Sequence, residues 1–272
     1  MEHAIRVERR ENMEKKKWML WRWLNVLAFA GVIAVNALAN LLPIAGVKTE
    51  DISQKYANLF SPSDYAFAIW GVIYALIGGT IIYQFTQKGR QITHKFGPWL
   101  AINCALNAVW MLLWHYDLIG WSVLCMVGLL ATLIILTMRL VDLRPVWQEK
   151  WLVGAGFSLY FGWVTVATIA NVTTWLVKIN WHGFGIAPEI WTIVVLLFGV
   201  LLTALVLMRG GRAAFAVAVI WGYGGILARH TFKSGFNMQH GWIMAATVLS
   251  LAMLLYLLVR AVRNGFAVTR LE

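Results

Sequence analysis

Apolar residues gather along this chain in long runs separated by short segments that hold most of its charges. Eight runs, approximately 18–43, 64–87, 98–116, 119–141, 151–177, 188–208, 212–228 and 239–260, are bounded by charge, Gly or Pro. Each is close to the roughly 20 helical residues needed to cross about 30 Å of hydrocarbon. The pattern therefore predicts an all-α protein, a polytopic membrane helix bundle of about eight transmembrane helices. The seventh run is the shortest, and the longest connection on the side opposite the N-terminus is about 44–63.

Inside several runs the polar and aromatic residues recur at steps of three and four, which keeps them on one helix face. The first run places Asn25, Asn36 and Asn40 on one stripe with Phe29 and Val32, and the second places Phe67, Trp70 and Tyr74. The third carries Asn103, Asn107, Trp110 and Trp114, and the fifth carries Tyr160, Trp163, Ala167 and Asn171. An amide facing hydrocarbon without a partner is costly, so these faces should point inward. They admit two roles. The amides either join helix to helix while the rings pack, or the rings wall a pocket in which amides and hydroxyls anchor a ligand.

Composition agrees with the run pattern: 60% of the 272 residues are hydrophobic and only 13% are charged. The formal net charge of +11 does not indicate nucleic acid, because the basic residues sit in short loops and tails instead of on a soluble module. They are distributed unevenly. Lys15, Lys16, Lys17, Lys88, Arg90, Lys95, Arg139, Arg144, Lys150, Arg209 and Arg260 fall in alternate segments, whereas Lys48, Lys55, Lys178, Arg229 and Lys233 fall in the others. The positive-inside rule then puts both termini in the cytoplasm. The first run, although preceded by lysines and containing Ala37-Leu38-Ala39, is too long for a cleavable signal peptide. Trp18, Trp21 and Trp23 beside Arg22 form an expected interfacial anchor.

Catalytic chemistry has little support. All twelve carboxylates lie in tails, loops or the ends of runs, which argues against an ion-coupled pump. There is no HExxH, no P-loop and no nucleophile–base–acid set; the histidines lack metal-ligand spacing, and Cys104 and Cys125 lack CxxC spacing. No catalytic residue and no metal ligand is therefore assigned. Asp64, His115, Asp117, Lys178, His182, Glu189, Arg229 and His230 collect at the outer ends of runs, as solvated boundary residues or as contacts for a carboxylate-bearing ligand. Gly222, Gly224 and Gly225 allow close helix approach.

Three of the stripes carry a resemblance. Phe60-Ser61-Pro62 followed by Phe67, Trp70, Tyr74 and Gly78 resembles the signature opening the second helix of the TspO/MBR family, the tryptophan-rich sensory proteins related to mitochondrial translocator protein. Asn103, Leu106-Asn107 and Trp110 resemble the family's third-helix pattern, and Tyr160, Trp163, Ala167 and Asn171 its fifth-helix pattern. Leu159 and Ala170 depart from that fifth-helix pattern, which has Pro and Leu there, and only Pro62 remains of a paired Pro. The resemblance covers residues 18–180. It implies a five-helix bundle at 18–180; outside it the runs and charges leave a basic cytoplasmic N-terminal tail at 1–17 and three additional transmembrane helices with a short cytoplasmic tail at 181–272, about which the resemblance says nothing.

What the resemblance implies functionally is an integral membrane receptor or carrier that binds porphyrin, haem or a sterol-like ligand, with a sensory or stress role. No cofactor is required; porphyrin or haem would be the ligand, and porphyrin photodegradation is proposed for the family. The ligand-binding candidates it marks are Trp70, Tyr74, Asn107, Trp110, Trp163, Ala167 and Asn171, beneath a cover formed by the connection 44–63. The expected setting is a bacterial plasma membrane, with membrane lipids and a hydrophobic small molecule as partners and a homodimer left open. A permease for small hydrophobic molecules and a non-catalytic partner subunit are the competing functions.

Overall fold

The computed structural model describes residues 2–42, 44–140, 149–210 and 212–263. Among these the chain is helical: α1 (Glu2–Leu41), α2 (Thr49–Lys55), α3 (Ile69–Tyr83), α4 (Gly89–Phe96), α5 (Trp99–His115), α6 (Ile119–Arg139), α7 (Gly156–Lys178), α8 (Pro188–Gly210), α9 (Ala213–Thr231) and α10 (Gly241–Arg263). Among the described residues seven helical stretches are long and apolar enough to span a membrane, and the bent pair α4–α5, taken as one broken span, brings the number to eight. All eight predicted runs are thereby accounted for. The protein is a polytopic integral membrane helix bundle.

Differences lie at the run boundaries. The first run is the inner part of a 40-residue helix that begins in the basic segment at Glu2. Residues 84–97 hold the separate amphipathic helix α4, which ends before Gly97 (φ 51°) and turns by 64° into α5; Gly97 makes the turn, and Pro98, helical in backbone and without an N–H to satisfy, stands at the start of α5. The shortest span is consequently α5, with 17 residues, and not the seventh run, whose helix α9 has 19. A π-helical turn at Glu149–Ala155 extends the fifth span toward its start.

Five spans close into a ring. α1 lies against α3 and α5, α5 against α6, α6 against α7, and α7 returns to α3. Large apolar side chains such as Leu27, Ile82 and Met208 point outward, the polarity that a hydrocarbon solvent allows. The three further helices are not set apart from this ring: α9 packs along α7 and over the 3₁₀ turn Asp64–Ala68, while α8 and α10 pack on α9. Gly162 makes this possible, because a Cβ there would lie 2.4 Å from the Phe215 carbonyl oxygen and 2.9 Å from Ala218 Cβ. Gly225 likewise admits Ala66 and Pro62, and its carbonyl accepts from the Ser63 N–H at 2.9 Å. Of the other two glycines, Gly222 faces Val166 and Gly224 has no close contact.

Candidate ligand-binding site

Three helices of the ring bring the predicted residues together: α3 supplies Trp70 and Tyr74, α5 supplies Asn107 and Trp110, and α7 supplies Trp163, Ala167 and Asn171. Trp70 is central. Its ring is stacked on Tyr74 with centroids 5.4 Å apart and is tilted against Trp110 at 5.8 Å. It meets Tyr160 and Trp163 edge-on at 5.7 and 6.4 Å, and Phe67 meets Trp163 in the same manner at 6.3 Å. Edge and offset contacts of this kind suit the ring quadrupoles and fix the orientation of each indole. Trp70, Trp110, Tyr160 and Trp163 are buried, whereas Phe67, Tyr74 and Ala167 are half-buried and mark the edge of the cluster.

Two amide nodes orient the rings. Asn107 Oδ1 accepts from Tyr74 Oη at 3.1 Å and from Asn36 Nδ2 at 3.4 Å, and its Nδ2 donates to Tyr160 Oη at 3.0 Å. One side chain thus joins α5 to α1, α3 and α7. Asn171 Oδ1 accepts from Trp110 Nε1 at 3.1 Å, while its Nδ2 donates to Ser122 Oγ on α6 at 2.9 Å. Asn103, by contrast, turns to Thr132 on α6 and joins neither node. The rings and amides lie in mutual contact, with interhelical bonding at Asn107 and Asn171 and aromatic packing around Trp70.

One atom in the cluster is left over. Trp163 Nε1 is buried and has no acceptor, although an unpaired donor at this depth costs several times the worth of an ordinary hydrogen bond. Tyr160 and Ser122 also belong to the site. Tyr160 is visible in the fifth-run stripe, whereas a lone serine in an apolar run carries no signal until α6 is placed against α7.

The cover is structured. Residues 49–55 form the short helix α2, whose first turn holds Glu50 and Asp51 and whose Lys48 N–H donates to Asp51 Oδ2 at 2.7 Å. The Thr49 carbonyl accepts from Trp114 Nε1 at 3.0 Å, tying α2 to the end of α5. At its other end Lys55 Nζ and Tyr56 Oη donate to Asp117 Oδ2 at 2.7 and 2.9 Å, and Lys178 Nζ lies 3.0 Å from Asp117 Oδ1. Asp117, in the α5–α6 turn, therefore latches the cover to the end of α7.

Asp117 has φ 58°, a conformation that Asp and Asn tolerate, so an amide there removes charge without adding strain. Desolvation pushes its carboxyl up, but hydrogen bonds from Lys55, Lys178 and Tyr56 outweigh this and hold it below the ordinary carboxylate value. The hydrogen bond to Asp117, followed by that to Tyr56, raises the Lys55 ammonium. A depressed carboxyl favours the latched state above its unfolded pKa of about 4, and this contribution disappears as pH falls through the folded value. A raised ammonium favours it below about 10.4 and loses that contribution as pH rises through its folded value. Asp117→Asn should therefore speed amide hydrogen exchange over residues 49–55 about fivefold near neutrality, the effect of roughly 1 kcal/mol. The unsubstituted protein should show that loosening below about pH 4 and again above about pH 10.4, and exchange mass spectrometry across pH checks both.

Among the described residues no group of three or more His, Cys, Asp or Glu side chains is arranged to hold a metal. A ring of five spans with an aromatic–amide core, extended by three helices of which α9 packs on α7 and carries α8 and α10, defines the class: a tryptophan-rich polytopic membrane protein. Residues 22–261 match the family model described as TSPO-like protein, and the chain belongs to that family. The match runs through α8, α9 and most of α10. No curated protein and no solved structure matches the chain.

Proposed function

We propose that this protein is a membrane receptor or carrier for a flat hydrophobic ligand, of which a porphyrin is the leading candidate, held among Trp70, Tyr74, Asn107, Trp110, Trp163, Ala167 and Asn171. The observation that carries this proposal is the buried Trp163 N–H without an acceptor, set against a cluster whose other polar contacts are already made. A ligand bearing a polar edge would supply that acceptor while exchanging ring–ring contacts for ring–ligand contacts of similar kind. Ala167, one turn after Trp163 and one before Asn171, is a small side chain at the half-buried edge of the cluster. Membership of the TSPO-like family supports a binding role in general, and the basic segments support cytoplasmic termini in a bacterial plasma membrane.

A second reading, a non-catalytic partner subunit, is favoured by the mutual packing of the same rings. Titration of the detergent-purified protein with protoporphyrin IX, followed by tryptophan quenching and porphyrin absorbance, separates the two. Saturable binding should weaken about thirtyfold or more in Trp70→Ala, the loss typical of a central aromatic contact. In Trp163→Phe, which keeps a ring and removes the N–H, the loss should be about tenfold. Absence of saturable binding, or unchanged affinity in both folded variants, would give the partner-subunit reading the lead.

A further inference from the structure

The basic end of α1 carries a group that neither the aromatic core nor its cover uses. The Arg22 guanidinium lies 4.3 Å from the Trp18 ring centroid and 4.6 Å from that of Phe85. Arg90, near the start of α4, reaches the same Trp18 ring at 5.5 Å. Neither arginine has a carboxylate partner among the described residues, although both are half-buried. Arg22 Nε and Trp18 Nε1 are buried and have no acceptor.

Two guanidiniums gathered on one indole, beside two N–H donors without acceptors, form a site suited to an anion. Guanidinium forks match phosphate oxygens in pairs, and stacking on aromatic rings holds them in one orientation while desolvation strengthens the contact. Beside this point the exposed rings of Trp23 and Phe85 meet edge-on with centroids 5.5 Å apart, and exposed Ile82 lies one turn before Phe85. They offer acyl chains a surface that a free anion would not need. We propose that Arg22, Arg90 and Trp18 seat the phosphate of one anionic phospholipid, with its chains lying over the apolar surface of Trp23, Phe85 and Ile82. Such a site is stoichiometric and local, distinct from the diffuse attraction that any basic loop exerts on an anionic leaflet.

Native mass spectrometry of the full chain, released from micelles containing equal phosphatidylglycerol and phosphatidylcholine, tests this. One phosphatidylglycerol should be retained in preference to phosphatidylcholine, and retention should fall about fivefold in Arg22→Gln and again in Arg90→Gln. Arg139→Gln removes a cation at the same end of the bundle, beside Lys95 of α4, and should leave retention unchanged. If Arg22→Gln does not fold, Arg90→Gln carries the test. Equal retention of the two lipids overturns the proposal, as does an equal loss in Arg139→Gln. Thermal stabilisation by inorganic phosphate alone, matching that by phosphatidylglycerol, would identify a free-anion site and overturn the lipid assignment.

Discussion

Gly162→Val should cost about 3 kcal/mol or more and leave little folded protein, because the added side chain enters where α7 and α9 meet backbone to side chain. Its Cβ alone would sit 2.4 Å from the Phe215 carbonyl oxygen, and a backbone atom in a helix cannot give way as a flexible side chain can. Thermal unfolding followed by gel filtration should show early aggregation. Gly71→Ala in α3 is the control: nothing lies within 4 Å of its Cβ position, so alanine should raise stability by about 0.5–1 kcal/mol through helix propensity alone. Equal midpoints for Gly162→Val and the unsubstituted chain would show that α9 does not pack against α7 as described.

Asn107→Leu, which keeps the branching of the side chain and removes its polar atoms, should lower stability by about 2–3 kcal/mol. Leucine leaves the hydroxyls of Tyr74 and Tyr160 and the Asn36 amide without their shared partner, and interhelical bonds in membranes are worth about 0.6 kcal/mol on average before orphaned groups are counted. Tyr74→Phe should cost distinctly less, since Asn107 Oδ1 then still accepts from Asn36. The two variants compared by thermal unfolding distinguish a node from a simple pair. A node predicts a gap between them; equal losses would mean that Asn107 serves Tyr74 alone.

Both variants bear on function through the same geometry. The rings that would grip a planar ligand are held by helix-to-helix amide bonds, so loss of Asn107 should loosen Trp70 and Tyr74 together. The latch at Asp117 acts at a different level. It ties α2 to the ends of α5 and α7, and its substitution should change exchange over residues 49–55 while leaving the core midpoint nearly unchanged.

Much of this was present in the order of residues. Hydrocarbon leaves a backbone no hydrogen-bonding partner but itself, so runs of about 20 apolar residues can only be helices, and the eight spans follow from that constraint. The same constraint makes a buried amide conspicuous, which is why the Asn107, Trp110, Trp163 and Asn171 stripes were legible and why they converge. Even α2 had a local signal, with Glu50 and Asp51 at its first turn and Lys55 at its last.

Other features depend on partners remote in sequence. The closing of the ring by α3 and α7, the seat of α9 on Gly162 and on the Ser63–Ala66 turn, the pairing of Ser122 with Asn171 and the latching of Lys55 and Lys178 by Asp117 are all such contacts. Helix periodicity tells which face of a span is inward but not which neighbour that face meets, because lipid tails and apolar side chains solvate it almost equally well. Only packing decides, and packing is where Gly162 becomes a contact, Asp117 a latch, and the Trp163 N–H a donor without an acceptor.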